Sequence, residues 1–405
     1  MKYAKDEVLQ FVKQEDVKFI RMAFCDVLGN QKNISIMPNE LERAFTQGIA
    51  IDASAITGFG QEIRSDLFLH PDPSTIAVLP WRPEHGRVVR MFCDLSMPDG
   101  TPFPCDTRSI LKSAISTAQA QGLSFFFGSE MEFYLLQRDE TGAPIAVPHD
   151  QAGYMDIAPE DKGENIRREI CLTLEQMGIF PESSHHEEGP GQNEIDFRYA
   201  AALNAADNAV TFRSVVSTIA ARNGLYADFS PKPLSGAPGN GMHVNISVRS
   251  GERGEQHDKT AAVMAGILSY IPDITVFLNP CSASYHRFGS DKAPQYITWA
   301  PENRSALIRV PAAQGEYRRF ELRSPDPLCN PYLAFAMLIL AGVQGVQANA
   351  ELPPSTEKNM YLLSTQEKAA LATLPQDMEA AKKAARESKF LQSILPAQII
   401  DFYTK

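Results

Sequence analysis

The sequence of 405 residues lacks the features that define several large classes of protein. Its six cysteines include no Cys-x-x-Cys pair, so we expect reduced core residues in a cytoplasmic protein rather than a disulfide framework. The charged, amphipathic N-terminus has no signal-peptide core, and the longest apolar run, Leu333–Val343, is too short to span a bilayer. The formal net charge of −11 argues against nucleic acid as a partner. These absences predict a cytoplasmic protein that has no membrane partner and no nucleic-acid partner.

Two catalytic signatures are missing as well. No GxxxxGK[ST] loop occurs, so bound phosphates would have to be held by metal ions and arginines. The pair His185–His186 lacks the helical HExxH spacing of zinc hydrolases. We interpret these histidines as a polar pair at a strand edge rather than as metal ligands.

Charge is concentrated between Glu182 and Arg198, a segment with five carboxylates, two histidines and two glycines. Gln192, Glu194 and Asp196 would lie on one face of a strand, because side chains alternate along a β-strand. A strand wetted by solvent explains this segment equally well when it is considered alone.

Four further segments show the same alternation of polar and apolar residues. Their polar faces would carry Glu130 and Glu132 in Phe125–Leu136; His243, Asn245 and Ser247 in Met242–Val248; Arg319, Glu321 and Arg323 in Arg318–Arg323; and Ser305 and Arg309 in Asn303–Pro311. Because buried charges need partners or metal ions, we infer one antiparallel sheet whose polar face lines a cavity for metals and an anionic substrate.

The whole pattern predicts an α+β fold with two domains. Short strands around one helix indicate a small β-rich domain over residues 1–102. Residues 103–405 mix helices and strands and would form a large domain in which helices back the cavity-lining sheet. Helices are predicted at Ser109–Gln121, Glu160–Met177 and Ala205–Asn223.

Five motifs resemble, in sequence order, those of the glutamine synthetase family: GSEMEF, SHHEEGPGQNEIDF, GAPGNGMHVNIS, PENRSALIRVP and RRFELRSPDPLCNPYLAF. The resemblance runs from about Asp16 to Leu395, and five ordered motifs are far more specific than any one of them. It implies a β-grasp-like N-terminal domain and a catalytic domain with a metal and ATP cavity. The implied reaction activates the γ-carboxylate of glutamate as γ-glutamyl phosphate and transfers it to ammonia or another amine.

Candidate metal ligands follow both from the strand alternation and from the resemblance to the family. Glu130 and Glu132 would point into one cavity, and Glu187 and Glu194 flank a turn that can bring them towards one ion. Oxygen-rich sites with at most one imidazole favour Mg²⁺ or Mn²⁺ over Zn²⁺. The resemblance implies two or more ions, one held by Glu132, Glu187 and Glu194 and another by Glu130, His243 and Glu321.

The resemblance also implies how the substrates are bound. Arginines suit anions because the guanidinium group binds carboxylate or phosphate with two hydrogen bonds, although they also form structural ion pairs. By resemblance, the ATP-binding residues are Glu182, Ser247, Arg309 and Arg319; the glutamate- and ammonium-binding residues are Tyr154, Gly239, Arg287 and Arg323; and the catalytic residues are Asp52 and Arg304. Lys292 is a third catalytic candidate because it stands at the flap position where relatives commonly carry glutamate. Without the family, Asp52 would be interpreted as a helix cap or a turn cap.

The sequence departs from the family pattern around the ammonium site. Lys292 stands in the flap where relatives commonly carry glutamate, and Ala55 stands where a serine is usual. A cation there would repel ammonium, although Asp291 could substitute or the flap could have a different register. Two classes therefore stay open: an ATP-dependent glutamate–amine ligase, or a glutamine synthetase-like protein with an impaired ammonium site that acts in regulation or assembly.

The resemblance further implies a homo-oligomer. Family members form six-fold rings in which the N-terminal domain of one subunit completes the active site of the next. Because the sequence ends at Lys405 without the final part of the family's helical tail, we expect ring hexamers, with stacking into dodecamers either weaker than usual or made by other contacts.

Overall fold

The computed structural model describes residues 3–60, 65–82, 85–251, 258–290, 292–313 and 315–405. The described residues of the N-terminal part form a six-stranded mixed sheet with strand order β2-β1-β6-β4-β3, in which β5 pairs with β6. Among these described strands, only β1 and β6 run parallel. Its helices and strands are α1 Lys5–Gln14, β1 Val17–Cys25, β2 Gln31–Ile36, α2 Leu41–Gln47, β3 Ile49–Asp52, β4 Asp66–Pro71, β5 Ala77–Val78 and β6 Arg87–Ser96, with 3₁₀ turns at Pro38–Glu40 and Pro73–Thr75.

The larger part contains a ten-stranded sheet that includes a strand from each of the five predicted polar segments. Its strand order is β14-β15-β16-β13-β7-β10-β9, and β8, β11 and β12 also pair with the long strand β7. The strands are β7 Leu123–Arg138, β8 Pro144–Pro148, β9 Pro181–His186, β10 Gln192–Phe197, β11 Ala200–Ala201, β12 Tyr226–Asp228, β13 Met242–Ser250, β14 Trp299–Pro301, β15 Ile308–Val310 and β16 Phe320–Leu322. Every strand pair among the described residues of this sheet is antiparallel except β14–β15, so the predicted sheet is confirmed.

Helices back this sheet on its apolar face. Met131 and Phe133 of β7 and Ile195 of β10 are fully buried there, against a layer that includes α3 and α5. The helices are α3 Thr107–Ala120, α4 Glu164–Gln176, α5 Ala202–Arg222, α6 Thr260–Leu278, α7 Ser282–Tyr285, α8 Pro331–Gln347, α9 Thr365–Ala369, α10 Met378–Glu387, α11 Lys389–Ile394 and α12 Ala397–Thr404, with 3₁₀ turns at Gly315–Tyr317 and Met360–Leu362. The α+β fold class is confirmed.

The apolar run Leu333–Val343 lies in α8 and packs against α6. Among the described helices, only α6 is long and apolar enough to cross a membrane, and 67% of its apolar stretch is buried inside the protein. We interpret α6 as a core helix.

One predicted strand is largely wrong. Only Ile308–Val310 of the segment Asn303–Pro311 is strand. Before it, the Asn303 side chain accepts hydrogen bonds from the Ser305 backbone N–H and hydroxyl, at 3.0 and 2.7 Å, and this local turn replaces the strand.

A buried ion-pair network joins the two parts of the chain. The Arg108 side chain on α3 is only 4% exposed and donates to Asp72 and Asp94 of the N-terminal part, both at 2.8 Å. It also donates to both carboxylate oxygens of Asp207 on α5, at 3.1 and 3.0 Å. The boundary between residues 102 and 103 remains a prediction.

Candidate active site

The strand register brings acidic side chains from distant segments together. Glu194 of β10 lies opposite Glu132 of β7, and Asp196 lies opposite Glu130. On the other side of β7, His243 of β13 lies opposite Glu130. Directly paired residues of an antiparallel sheet point to the same face, so these five side chains share the polar face of the sheet.

The turn between β9 and β10 positions two of the predicted ligands and requires glycine. Gly191 has φ +70°, in the left-handed region that favours glycine, and a Cβ on Gly189 would lie 2.0 Å from the Tyr134 hydroxyl. The backbone N–H of Glu187 donates to the Gln192 carbonyl across this turn at 2.8 Å. The turn therefore holds Glu187 beside the start of β10.

Glu187, Glu194 and His185 form a first group, which we call the Glu187 cluster. Its ligand atoms lie within 4.8 Å of one another, with His185 Nδ1 3.7 Å from Glu187 and Nε2 3.5 Å from Glu194. Glu132, the third ligand predicted here, accepts a hydrogen bond from the Gly241 backbone N–H at 2.9 Å and lines the same cavity. Its role as a ligand stays a prediction.

Glu130, His243 and Glu321 form a second group, the Glu130 cluster, which has the composition predicted for the second metal. His243 Nδ1 lies 3.5 Å from Glu130 Oε2 and 3.6 Å from Glu321 Oε1. The other oxygen of Glu130 accepts a hydrogen bond from the Asn245 side chain at 2.6 Å. Asn245 thereby orients the carboxylate towards His243.

Asp196 connects the two clusters, because its carboxylate lies within 4.8 Å of Glu130 and Glu194. Its Oδ1 atom is buried and has no hydrogen-bond partner among the described residues. Burial and the charges of Glu194 and Glu130 raise the pKa of Asp196 to about 8. Burial, with the charges of Glu194 and Glu187, raises the pKa of Glu132 to about 7. Such crowding of carboxylates, with an unpaired oxygen among them, fits divalent cations with oxygen ligands.

Neighbouring hydrogen-bond donors and cations have the opposite effect on one carboxylate of this site, because they lower its pKa. Burial opposes ionisation of Glu130, but the hydrogen bond and charge of His243 and the bond from Asn245 outweigh it and lower its pKa to about 2. The hydrogen bond to Glu194 raises the pKa of His185 to about 9.

Arginines surround the acidic groups and keep donors free. Arg309 Nη1 donates to Glu321 at 2.7 Å, and Arg323 Nη1 donates to the other oxygen of the same carboxylate. The Nε atoms of both arginines are buried without a partner among the described residues. Arg319 Nε donates to Asn245 at 2.9 Å. These guanidinium groups can bind an anion without losing the contacts that orient them.

Two adjoining cavities contain nearly all of the predicted site residues. The larger, of about 500 Å³, is lined by Glu130, Glu132, Tyr154, Glu187, Glu194, Gly239, His243, Arg287, Lys292, Arg304, Arg309, Arg319 and Arg323. The smaller, of about 150 Å³, is lined by Glu182 and Ser247 and shares Glu130, Asp196 and Arg319 with the larger one. Glu321 lies behind Arg309 and Arg323 and lines neither cavity.

Asp52 is not brought to either cavity within one chain. It is exposed, and its Oδ1 accepts hydrogen bonds from the Ser65 hydroxyl at 2.6 Å and the Ser54 backbone N–H at 2.9 Å. Lys292 forms an ion pair with Glu188 within this chain. The alternative anion, Asp291, lies outside the described residues.

The two adjacent histidines have different surroundings. They lie on the edge strand β9, as predicted, but His186 is fully buried, with Nε2 2.9 Å from Asp150 and Nδ1 2.6 Å from the Glu187 carbonyl. His185 faces the Glu187 cluster, so it is a candidate ligand that the sequence interpretation set aside. The alternation along Ser184, His185 and His186 already places the two imidazoles on opposite faces of the strand, which was the available signal.

The class of protein is defined by three features of this sheet: carboxylate clusters suited to two cations, free guanidinium donors and two connected cavities. This class is the metal-dependent enzymes that bring a polyphosphate and a carboxylate together, as ATP-dependent ligases do.

Comparisons with known proteins identify the family. Residues 16–98 match the family model described as the glutamine synthetase beta-Grasp domain, and residues 104–405 match its catalytic domain. A glutamine synthetase of Clostridium saccharobutylicum is 41% identical over 414 residues, covering 99% of this chain and 94% of its own. A glutamine synthetase of Methanosarcina mazei is 42% identical over 411 residues, covering 98% and 92%. The chain belongs to the glutamine synthetase family and is an ATP-dependent ligase.

Solved structures agree with this assignment. The structure of a GmaS/ADP complex has a TM-score of 0.87 and 27% sequence identity, over 98% of this chain and 94% of that one. A ligand-free GmaS structure has a TM-score of 0.86, also at 27% identity, over 98% and 93%. Family membership implies the use of ATP and divalent metal ions, which the two clusters can accommodate.

Proposed function

We propose that this chain is a glutamate–amine ligase that forms γ-glutamyl phosphate with ATP and transfers the γ-glutamyl group to ammonia or a small primary amine. The observation that carries the proposal is the sharing of Glu130, Asp196 and Arg319 by the two cavities. A nucleotide in the smaller cavity could thereby direct its phosphates past the acidic clusters towards a carboxylate in the larger one.

The Glu130 cluster would hold one divalent ion, and Glu187, Glu194 and Glu132, with His185 adjacent, would hold a second. Mg²⁺ or Mn²⁺ bound there supplies neutralisation of the phosphate charge during phosphoryl transfer. Asn245 maintains the orientation of Glu130, and the Gly189–Gly191 turn maintains that of Glu187.

The arginines divide the anionic groups between them. Arg319 lines both cavities and is placed for the phosphates, together with Arg309. Arg323 and Arg287 lie deeper, each only 2–3% exposed, and suit the carboxylates of glutamate. In the activation step, a γ-carboxylate oxygen forms a bond to the γ-phosphorus of ATP and the bond to the leaving ADP oxygen breaks. The amine then attacks the acyl carbon, phosphate leaves, and a base accepts the amine proton.

The base is the part of the site that one chain leaves incomplete. Asp52 lies outside both cavities, and we propose that it serves the cavity of a neighbouring subunit in a ring hexamer. The cation Lys292 near the amine end opposes the binding of ammonium, and it therefore keeps the second candidate function open. In that alternative the protein binds nucleotide and glutamate but acts in regulation or assembly, without forming an amide.

Hydroxylamine separates these possibilities, because it is a neutral nucleophile at pH 7 that intercepts an acyl phosphate without prior deprotonation. With glutamate, ATP and Mg²⁺ we expect γ-glutamyl hydroxamate and ADP in equal amounts. The variant Arg319→Gln should abolish the product, and Arg318→Gln, which changes a neighbouring arginine that is 68% exposed, should leave it unchanged. Absence of hydroxamate from the wild type, despite ATP binding, would favour the regulatory alternative.

A further inference from the structure

The Lys292 side chain occupies a cation site built by two other residues. Its Nζ atom forms an ion pair with Glu188 and lies 5.7 Å from the centroid of the Tyr154 ring. All three side chains line the larger cavity. A carboxylate beside an aromatic face is the combination that binds a primary ammonium group, through a charge-assisted hydrogen bond and a cation–π contact.

The backbone holds Lys292 in an unusual position. Its φ is +63°, in the left-handed region that lysine rarely adopts. The Lys292 carbonyl accepts a hydrogen bond from Arg323 Nη2 at 3.4 Å. The turn that contains Lys292 is closed by a second hydrogen bond, from the Ala293 backbone N–H to the Ser290 carbonyl at 2.8 Å. This turn fixes the backbone of Lys292 beside the cavity that its side chain lines.

We propose that Glu188 and Tyr154 form a binding position for primary alkylammonium ions and that Lys292 occupies it as an internal competitor. The lysine side chain is itself an n-butylammonium group attached to Cα, so its placement indicates a ligand of that chemical class. The inference rests on the proposed function only in assigning this ligand as the amine acceptor. The binding position can be tested without turnover.

Lys292 is displaceable because the pair is partly solvated. The Lys292 and Glu188 side chains are 52% and 37% exposed. Exposed ion pairs are weak, so their loss should change the affinity of a competing cation by only about two- to fivefold. An alkylammonium ion regains both the Glu188 and the Tyr154 contacts on entering. Bare ammonium lacks the alkyl chain that packs beside the ring.

The test is titration calorimetry with n-butylammonium on the full-length protein in the presence of Mg²⁺. Lys292→Met removes the competing charge at nearly constant length and should tighten binding by about two- to fivefold. Adding Glu188→Gln to Lys292→Met should eliminate that gain. Lys358→Met disrupts another exposed ion pair, Lys358–Glu367, which lies outside both cavities, and should bind n-butylammonium as the wild type does. The neutral n-butanol should not distinguish the variants.

Equal affinity of the wild type and Lys292→Met, or a gain that survives Glu188→Gln, would overturn the proposal. The same gain in Lys358→Met would overturn it too. The hydroxamate assay is separate. If hydroxamate forms but n-butylammonium does not bind as expected, the proposed binding position is wrong and the ligase function stands. If n-butylammonium binds as expected but no hydroxamate forms, the binding position is supported and the proposed function is contradicted.

Discussion

Removing the Glu132 carboxylate should change how the stability of the metal-free protein depends on pH. Burial, with the charges of Glu194 and Glu187, raises the pKa of Glu132 from 4.5 to about 7 in the folded protein. Between these two values the folded state binds more protons than the unfolded state, so the free energy of unfolding falls as pH rises. At 1.36 kcal/mol per pKa unit, ionising Glu132 in the folded protein costs about 3 kcal/mol by pH 8.

Glu132→Gln removes this ionisation and keeps the shape of the side chain. We expect wild type and variant to differ little near pH 4.5 and to diverge by about 3 kcal/mol, in favour of the variant, as pH approaches 8. Asp196, with its pKa raised to about 8, should add a slope of the same sign to both proteins, so the difference between them isolates Glu132.

The assay is urea unfolding between pH 4.5 and 8 at one fixed protein concentration, with a chelator present. Mg²⁺ should then reverse the effect, because bound cations require ionised carboxylates and stabilise the wild type by mass action, about 2.7 kcal/mol at a hundredfold excess over Kd. The variant should gain less from Mg²⁺. Glu160→Gln, at an exposed position, serves as the control. A constant difference between wild type and Glu132→Gln across this pH range would refute the reasoning.

Three further outcomes are expected. Lys292→Glu should raise glutamine formation at saturating ammonium, glutamate and Mg-ATP, because the flap gains an anion, and adding Ala55→Ser should raise it further. The prediction would be contradicted if the wild type already turns over at about 1–10³ per second and Lys292→Glu slows it. Arg108→Met should lower the free energy of unfolding in urea by about 3–5 kcal/mol, because it leaves buried carboxylates unpaired, whereas Lys358→Met should change it by less than about 0.5 kcal/mol. Mass measurement in dilute solution should find a ring hexamer, and a monomer or dimer would contradict the assembly.

The side chains that share the polar face of the sheet could be predicted from the sequence. The alternation in Phe125–Leu136 and Gln192–Phe197 placed Glu130 with Glu132, and Glu194 with Asp196, because strand periodicity is a local property of the backbone. The same argument failed for most of Asn303–Pro311, where an asparagine side chain caps a turn within its own segment.

Contacts between distant segments required the tertiary structure. No local pattern indicated that His186 would be buried against Asp150, 36 residues away, or that Lys292 would meet Glu188, 104 residues away. Periodicity determines which side chains share a face, but it leaves open which residues of neighbouring strands lie opposite each other. That register depends on packing of the whole sheet against its helices, because sliding a strand by one residue would turn its buried apolar side chains towards the polar face.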